Sequence, residues 1–422
     1  MTSRERVRLA LKHVRTEKIP HDLGSTLTTG IHVSIYTNLK QALGITDGEV
    51  RVSDPFQMLA EVEEPVKRAL GVDTVGIQPR MNFFGYPNEN WKPFTMPDGT
   101  DVMISGHFQY DIMDNGDILQ YPRGDRTVPP SGKMPKGGFF FDTIVRQEPI
   151  EDDKLDPKEW VEQTYPVFSD EDLRYLDDQS RWYYENTDYS IIGSFWGGGF
   201  SDIGVLTGPS IPYPKGIRDP EEWYLSLITR RQYIQDIFNY QFEIQMKNLG
   251  LYKQAMANRI DIITMSGTDF GAQHGPFFSP ILYREMIKPL QKKMNDWVHT
   301  NTNWKVFFHS CGSIVEFLDD FIEIGVDIIN PVQISAKGMS PEYLKDNYGD
   351  KLIFWGGGVD SQHTLPFGTP DEVRNEVTRN IEIFSKNGGF VFNNVHNIQA
   401  NVPLNNLLAM FNALGVIKEH YF

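Results

Sequence analysis

The segment Lys305-Val-Phe-Phe-His-Ser-Cys-Gly312 places the chain's single cysteine two residues beyond a histidine, at the end of a run of strand-forming residues. Side chains alternate faces along a strand, so His309 and Cys311 point the same way. An imidazole nitrogen and a thiolate sulfur are good zinc ligands, and a pair on one strand end supplies half of a site. The bland alternative is a buried thiol beside a core histidine, because cysteine often behaves as a small hydrophobe. A zinc site normally needs a third protein ligand, and no second cysteine is present to give it. His396, which follows the strand-like run 389–395, is the candidate. Without metal it reads instead as an acid/base or hydrogen-bonding histidine.

Further polar groups stand at the ends of strand-like runs. Asp269 and Gln273 lie in Ser266-Gly-Thr-Asp-Phe-Gly-Ala-Gln-His-Gly275. They could bind a polar substrate, act on it, or brace metal ligands. The plainer reading is an Asx-type turn leading into a helix at Ser279. His21 and Asp22 end an early strand and Asp360 follows a late one. Each has the topological place of a substrate-binding residue. Gly356-Gly-Gly358 reads as a tight turn, which needs no ligand to explain it.

These groups share one place only if the chain alternates strands and helices. It does so outside one stretch. Strands are expected at 19–23, 74–77, 190–195, 260–265, 305–308, 326–330, 352–355 and 389–395. Helices are expected near 3–11, 55–70, from 219 into the 240s, from 279 with a kink at Pro289, and at 314–324, 341–348, 370–384 and 404–414. Thr369-Pro-Asp-Glu372 has the cap, the N1 proline and the acidic first turn of a helix start. Strands alternating with helices argue for a closed parallel (β/α)₈ TIM barrel, an α/β fold whose active site lies at the C-terminal strand ends. No glycine fingerprint for a dinucleotide follows the first strand. Residues 82–187 break the rhythm. Asp98-Gly99, Asn115-Gly116 and Gly137-Gly138 separate short β-branched and aromatic runs, the mark of hairpins. We read one barrel domain over 1–422 with a β-rich insertion at 82–187 that ends in an acidic linker.

Composition narrows the class. The 422 residues are 40% hydrophobic, enough for a large core, and carry a net charge of −16. That surface disfavours nucleic acid and anionic membranes, which need clustered Lys and Arg. No apolar run reaches membrane-spanning length, and the charged opening Met1-Thr-Ser-Arg-Glu-Arg lacks a signal-peptide core. A single cysteine excludes an intrachain disulfide, so a cytoplasmic address is expected. Nothing in the composition excludes a homo-oligomer.

Several segments together resemble the uroporphyrinogen decarboxylase superfamily, a TIM-barrel group. They are Ser3-Arg-Glu-Arg-Val7 with Ile19-Pro-His-Asp-Leu-Gly24, Asp269-Phe-Gly-Ala-Gln273 with Phe278-Ser-Pro280, and Phe308-His-Ser-Cys-Gly312. Gly325-Val-Asp-Ile-Ile-Asn-Pro331, Phe354-Trp-Gly-Gly-Gly358 and Phe392-Asn-Asn-Val-His-Asn-Ile398 with Val402-Pro403 complete the set. True decarboxylases carry an N-terminal arginine-rich motif for the tetrapyrrole's carboxylates. Here the matching Pro20-His-Asp-Leu-Gly-Ser-Thr26 has no arginine. The resemblance therefore points to the zinc- and corrinoid-linked methyltransferases of the superfamily. It implies zinc held by His309, Cys311 and a third donor, either His396 or a carboxylate such as Asp269. It implies a small methylated substrate, for example a methyl ether, and a corrinoid supplied by a partner protein. His396 and Asp269 would be the catalytic groups, with His21, Asp22, Gln273 and Asp360 toward substrate. A carboxy-lyase and a non-catalytic barrel module are the competing readings. The insertion's aromatics, including Phe83, Phe84, Tyr86, Trp91, Phe108 and Tyr110, would suit an apolar substrate or simply a core.

Overall fold

The computed structural model describes residues 1–418. Its centre is a parallel sheet whose seven strands are Thr74–Ile77, Ser190–Ser194, Ile262–Ser266, Lys305–His309, Ile328–Asn330, Ile353–Trp355 and Phe390–Val391, in that spatial order. The sheet curls until its two edge strands nearly meet. The gap is filled by Pro20–Asp22 in extended conformation. Asp22 N–H donates to Phe392 O at 2.9 Å, Phe392 N–H donates to Pro20 O at 2.7 Å, and Asp73 N–H donates to His21 O at 2.8 Å. The expected first strand thus closes the barrel as a single bridge, His21 to Phe392. It is short because Pro20 has no N–H to give and Gly24, at φ +86°, turns the chain away.

The inner face is sorted by height. Ile192, Ile262, Phe307, Ile328, Ile353 and Val391 form an apolar layer toward the strand starts. Helix Ser3–Ala10 closes that end, inserting Val7, Ala10 and Leu11 into the same cluster. The Thr2–Glu5 capping box starts this helix. Arg6 pairs with Asp73, and Arg8 Nε meets Asp261 Oδ1 at 2.7 Å, which pins the plug to the rim. One residue pair higher, the inner face turns polar with Ser194, Thr264, His309, Asn330 and Asn393, all buried.

Two expected helices come out differently. Residues 55–70 hold a helix only over Glu64–Leu70, entered through Pro65, while Leu59–Ala60 pairs with Val52–Asp54 as a small antiparallel ladder. Met58 at φ +53° turns the chain there, so its near-helical apolar spacing belongs to a turn. The expected kink at Pro289 takes the form of a π-turn over Tyr283–Ile287 directly before Lys288–Asn301. Proline cannot donate to the carbonyl four residues back, and widening the helix by one residue absorbs the loss. Between the barrel strands Thr74–Ile77 and Ser190–Ser194 lie a two-stranded and a four-stranded antiparallel sheet, then helices Pro157–Thr164 and Asp170–Asn186. Phe84, Tyr86 and Phe108 are the core of this region, at 0%, 2% and 0% exposure, and contact no open space. No helix among the described residues is long and apolar enough to cross a membrane.

Candidate metal centre

Phe307 belongs to the inner cluster, so the pleat turns His309, two residues on, inward at the mouth. Its Nδ1 lies 2.7 Å from Asn330 Oδ1, on the register-paired residue of the next strand. Asn330 Nδ2 donates to Trp355 O at 2.9 Å, which fixes Oδ1 as the acceptor end of the amide. The proton of the neutral ring is therefore on Nδ1, and Nε2 offers its lone pair to the mouth.

Cys311 sits where the strand leaves the sheet. Its N–H donates to Asp269 Oδ1 at 2.6 Å, and Ser310 Oγ accepts the N–H of Phe270 at 2.9 Å. The two loops interlock through glycines. A Cβ on Gly312 (φ +82°) would lie 2.1 Å from Gly271 O, so no other residue fits. The thiol Sγ comes to 3.5 Å from His309 Nε2. His396, five residues beyond the strand Phe390–Val391, has φ +63°, and its ring sits edge-on to His309 with centroids 5.2 Å apart. A left-handed conformation at a non-glycine residue is strained, and strain persists where function or surroundings hold it. One ligand atom from each of His309, Cys311 and His396 lies within 4.8 Å of the others. Asp269 stands beside them, with Oδ1 3.8 Å from His309 Nε2.

The electrostatics favour neutral groups here. Desolvation lowers His309 to a pKa of about 4, opposed by the Asn330 bond. Desolvation and then the neighbouring His309 lower His396 to about 3. Desolvation and then the Asp269 charge push the Cys311 thiol well above its ordinary value. Asp269 is itself raised by desolvation, with the Cys311 amide opposing. Yet Asp269 keeps 38% of its side chain accessible. A group both accessible and strongly desolvated lies in a deep crevice, which is the setting of a site rather than of a packed core. Two neutral imidazoles, a thiol held protonated first by burial and then by the Asp269 charge, and one carboxylate form a donor set that suits zinc, because a bound cation reverses the penalty on the thiolate. His396 is the least committed donor. Its Nδ1 accepts the N–H of Asn397 at 2.8 Å, which leaves the ring proton on Nε2.

The other expected site residues go elsewhere. His21 is a correction: the pleat turns it outward, where Nδ1 bonds Leu70 O at 3.2 Å and the ring lies between Phe392 and Phe411. Asp22 does face inward, but it is 0% exposed and accepts from Ser25 N–H, Thr74 Oγ1 and Trp355 Nε1. It ties the closing segment to its neighbours. Gln273 braces the loops by donating to Ser335 O at 2.7 Å and accepting from Gln333 at 2.9 Å. Asp360 is buried and accepts from Ser335 Oγ at 3.1 Å. Sequence reasoning missed Asn330, although it lies in the quoted Gly325–Pro331 motif. It also missed Asp202, raised to about 6 by desolvation and next to the Asp269 charge. Trp196 was missed too: at φ +60° on the mouth side of Ser190–Ser194, it has a buried indole N–H without a partner among the described residues.

Residues 216–415, which supply the mouth's ligands, match the uroporphyrinogen decarboxylase (URO-D) family. That match covers 200 of the 422 residues, and the curled parallel sheet agrees with the TIM-barrel fold expected of such a protein. Among solved structures, it is similar to a methyltransferase from Methanosarcina mazei, with 16% sequence identity, 98% of each chain covered and a TM-score of 0.52. At that identity the likeness speaks for the fold. No curated protein sequence matches the chain.

Proposed function

We propose that this chain is a methyltransferase that moves a methyl group between a small methylated substrate and a corrinoid held by a partner protein, with zinc at His309, Cys311 and His396. The observation that carries the reading is the convergence of those ligand atoms within 4.8 Å in the barrel mouth. Zinc, when bound, supplies Lewis acidity toward the heteroatom that carries the methyl group, and the corrinoid supplies the other methyl station. Asn330 holds the His309 ring so that Nε2 stays a lone-pair donor. Cys311 would hold a cation as its thiolate, and the Asp269 carboxylate beside it would take up the proton released. His396 either completes the ligand set, giving up its bond to Asn397, or keeps that bond. In the second case its Nε2–H donates to the oxygen or nitrogen left when the methyl departs.

One observation favours a carboxy-lyase as the second reading: that same Nε2 proton on His396 could serve a reaction without metal. Two measurements separate the readings. The first is the zinc content of the purified protein and of Cys311→Ser. The second is cobalt methylation, followed by absorbance, when the protein meets a reduced corrinoid protein and a panel of methyl ethers, methylamines and methyl thiols. About one zinc per chain, lost in Cys311→Ser, with methylation by one substrate class, is the expected result. A metal-free protein in which only His396→Ala loses activity would favour the lyase.

A further inference from the structure

The loops that follow strands Ser190–Ser194 and Ile262–Ser266 cross one another at the mouth. Trp196 N–H donates to Thr264 O and Gly198 N–H to Met265 O, both at 2.8 Å, and Thr268 Oγ1 donates to Phe200 O at 2.9 Å. Gly267 lets two side chains meet over the crossing. A Cβ there would lie 3.2 Å from Trp196 Cε3 and 3.9 Å from Asp202 Oδ2. Two more rings stand around Asp202. Tyr224, on helix Pro220–Thr229, stacks on Phe277 with centroids 6.0 Å apart. Burial pushes its hydroxyl up to about 12, with the charges of Asp269 and then Asp202 adding to the rise. Tyr165, which ends helix Pro157–Thr164, is raised by burial and then by the Asp202 charge. Both hydroxyls therefore stand in the field of Asp202.

Asp202 has no cation to answer it. Its Oδ1 accepts the Gly204 N–H at 2.9 Å, and its Oδ2 has no partner among the described residues. No lysine or arginine among them forms an ion pair with Asp202 or Asp269. Asp269 lies against Cys311 and His309 and serves the metal centre, whereas Asp202 makes no hydrogen bond or ion pair with any member of it. Asp202 keeps part of its surface accessible. Burial still pushes its carboxyl up to about 6, with the Asp269 charge second, so at neutral pH it is ionised at a cost that a cation would remove. Two donors nearby are also unmet. One is the buried Nε1–H of Trp196, and the other is Ser194 Oγ, on the inner face two residues earlier and in a residue 2% exposed. The carboxylate calls for positive charge. The surfaces around it are rings rather than further acceptors, which suits a methylated nitrogen over a bare ammonium, whose three N–H groups each need an acceptor. The donors of Trp196 and Ser194 suit an oxygen on the same molecule.

We infer that Asp202, Trp196 and Tyr224 hold a methylated ammonium cation, with an oxygen of the same molecule toward Trp196 Nε1. This deepens the methyltransferase reading by naming the class of its methyl source, and it rests on that reading for that role alone. Titration calorimetry on the full chain as purified, with no corrinoid protein present, compares choline with the neutral dimethylbutanol in which carbon replaces its nitrogen. Choline is expected to bind about tenfold more tightly or better. Asp202→Asn keeps an oxygen for the Gly204 amide, so the loop should hold its shape while the preference disappears. Tyr224→Leu should weaken choline about fivefold and leave the alcohol's affinity in place, while Tyr224→Phe keeps most of the original value. The assay reads neither zinc nor cobalt, so its failure leaves those results standing, and theirs leaves the cation site standing. Equal affinity for choline and the alcohol, no binding of either up to about 10 mM, a preference that survives in Asp202→Asn, or full choline affinity in Tyr224→Leu would overturn the assignment.

Discussion

The two ends of the barrel's inner face are built from the same strands and do opposite work. At the strand starts, Ile192, Phe307, Ile328 and Val391 meet Val7 and Ala10 of the N-terminal helix, with no polar side chain in that cluster. At the strand ends, two residues further along, the inward positions are Ser194, His309, Asn330 and Asn393. There, Ser194 Oγ and Asn393 Oδ1 are buried with no partner among the described residues. Leaving such atoms unpaired costs roughly 1–3 kcal/mol each. The apolar end stabilises the fold, and the polar end carries unmet donors and acceptors that a ligand can meet.

The comparison breaks most directly at Cys311. Cys311→Ser replaces the soft ligand, so zinc content should fall from near one per chain to background while the unfolding midpoint of the metal-free protein barely moves. Elemental analysis beside thermal unfolding checks both. Zinc retained in the serine variant would mean the sulfur is not a ligand. Asn330→Ala is next in size. It leaves His309 in place but frees its tautomer, and loss of such an orienting partner lowers metal affinity about 10- to 100-fold. A chelator competition that shows no change would remove Asn330 from the site.

Acidity sharpens the same point. His309 and His396 titrate near 4 and 3, so above about pH 5 both rings are already neutral and release nothing on binding metal. The thiol is raised above its ordinary value, so it is protonated at neutral pH and must release one proton. Apparent zinc affinity should therefore rise about tenfold for each pH unit between roughly 6 and 8. A flat profile would mean that the thiolate exists before metal arrives, and a hundredfold slope would mean that a second group is losing a proton.

The sequence made the polar end partly legible, and the reasons are physical. His309 and Cys311 could be read because strand parity alone puts them on one face. Asp269 and His396 could be read because both follow strands. Parity also explains the failure at His21: a closing strand reduced to one bridge has no visible alternation, so Asp22 and His21 could not be told apart. Asn330 escaped because its role depends on which residue lies across the ladder, and register is a property of the folded sheet. The Leu59–Ala60 ladder escaped because a positive φ at Met58 leaves no mark in apolar spacing. The insertion's aromatics looked alike in sequence, and only packing separates buried Phe84 and Phe108 from Trp91, which faces open space.

The smallest expected effect at the mouth comes from the far end, and it tests whether the two ends are separable. Val7 is 0% exposed within the apolar plug. Val7→Ala leaves a cavity where neighbours can collapse only partly, because the barrel wall on the other side is fixed by its ladders. The expected loss is about 2 kcal/mol of stability, read by denaturant unfolding. Zinc affinity and its pH slope should not change, because the Lys305–His309 and Ile328–Asn330 strands hold His309 against Asn330 by hydrogen bonds above the plug. If Val7→Ala instead weakened zinc binding as much as Asn330→Ala, the plug would be setting the register of those strands. The barrel would then have to be treated as one coupled unit rather than as a stable base beneath a reactive mouth.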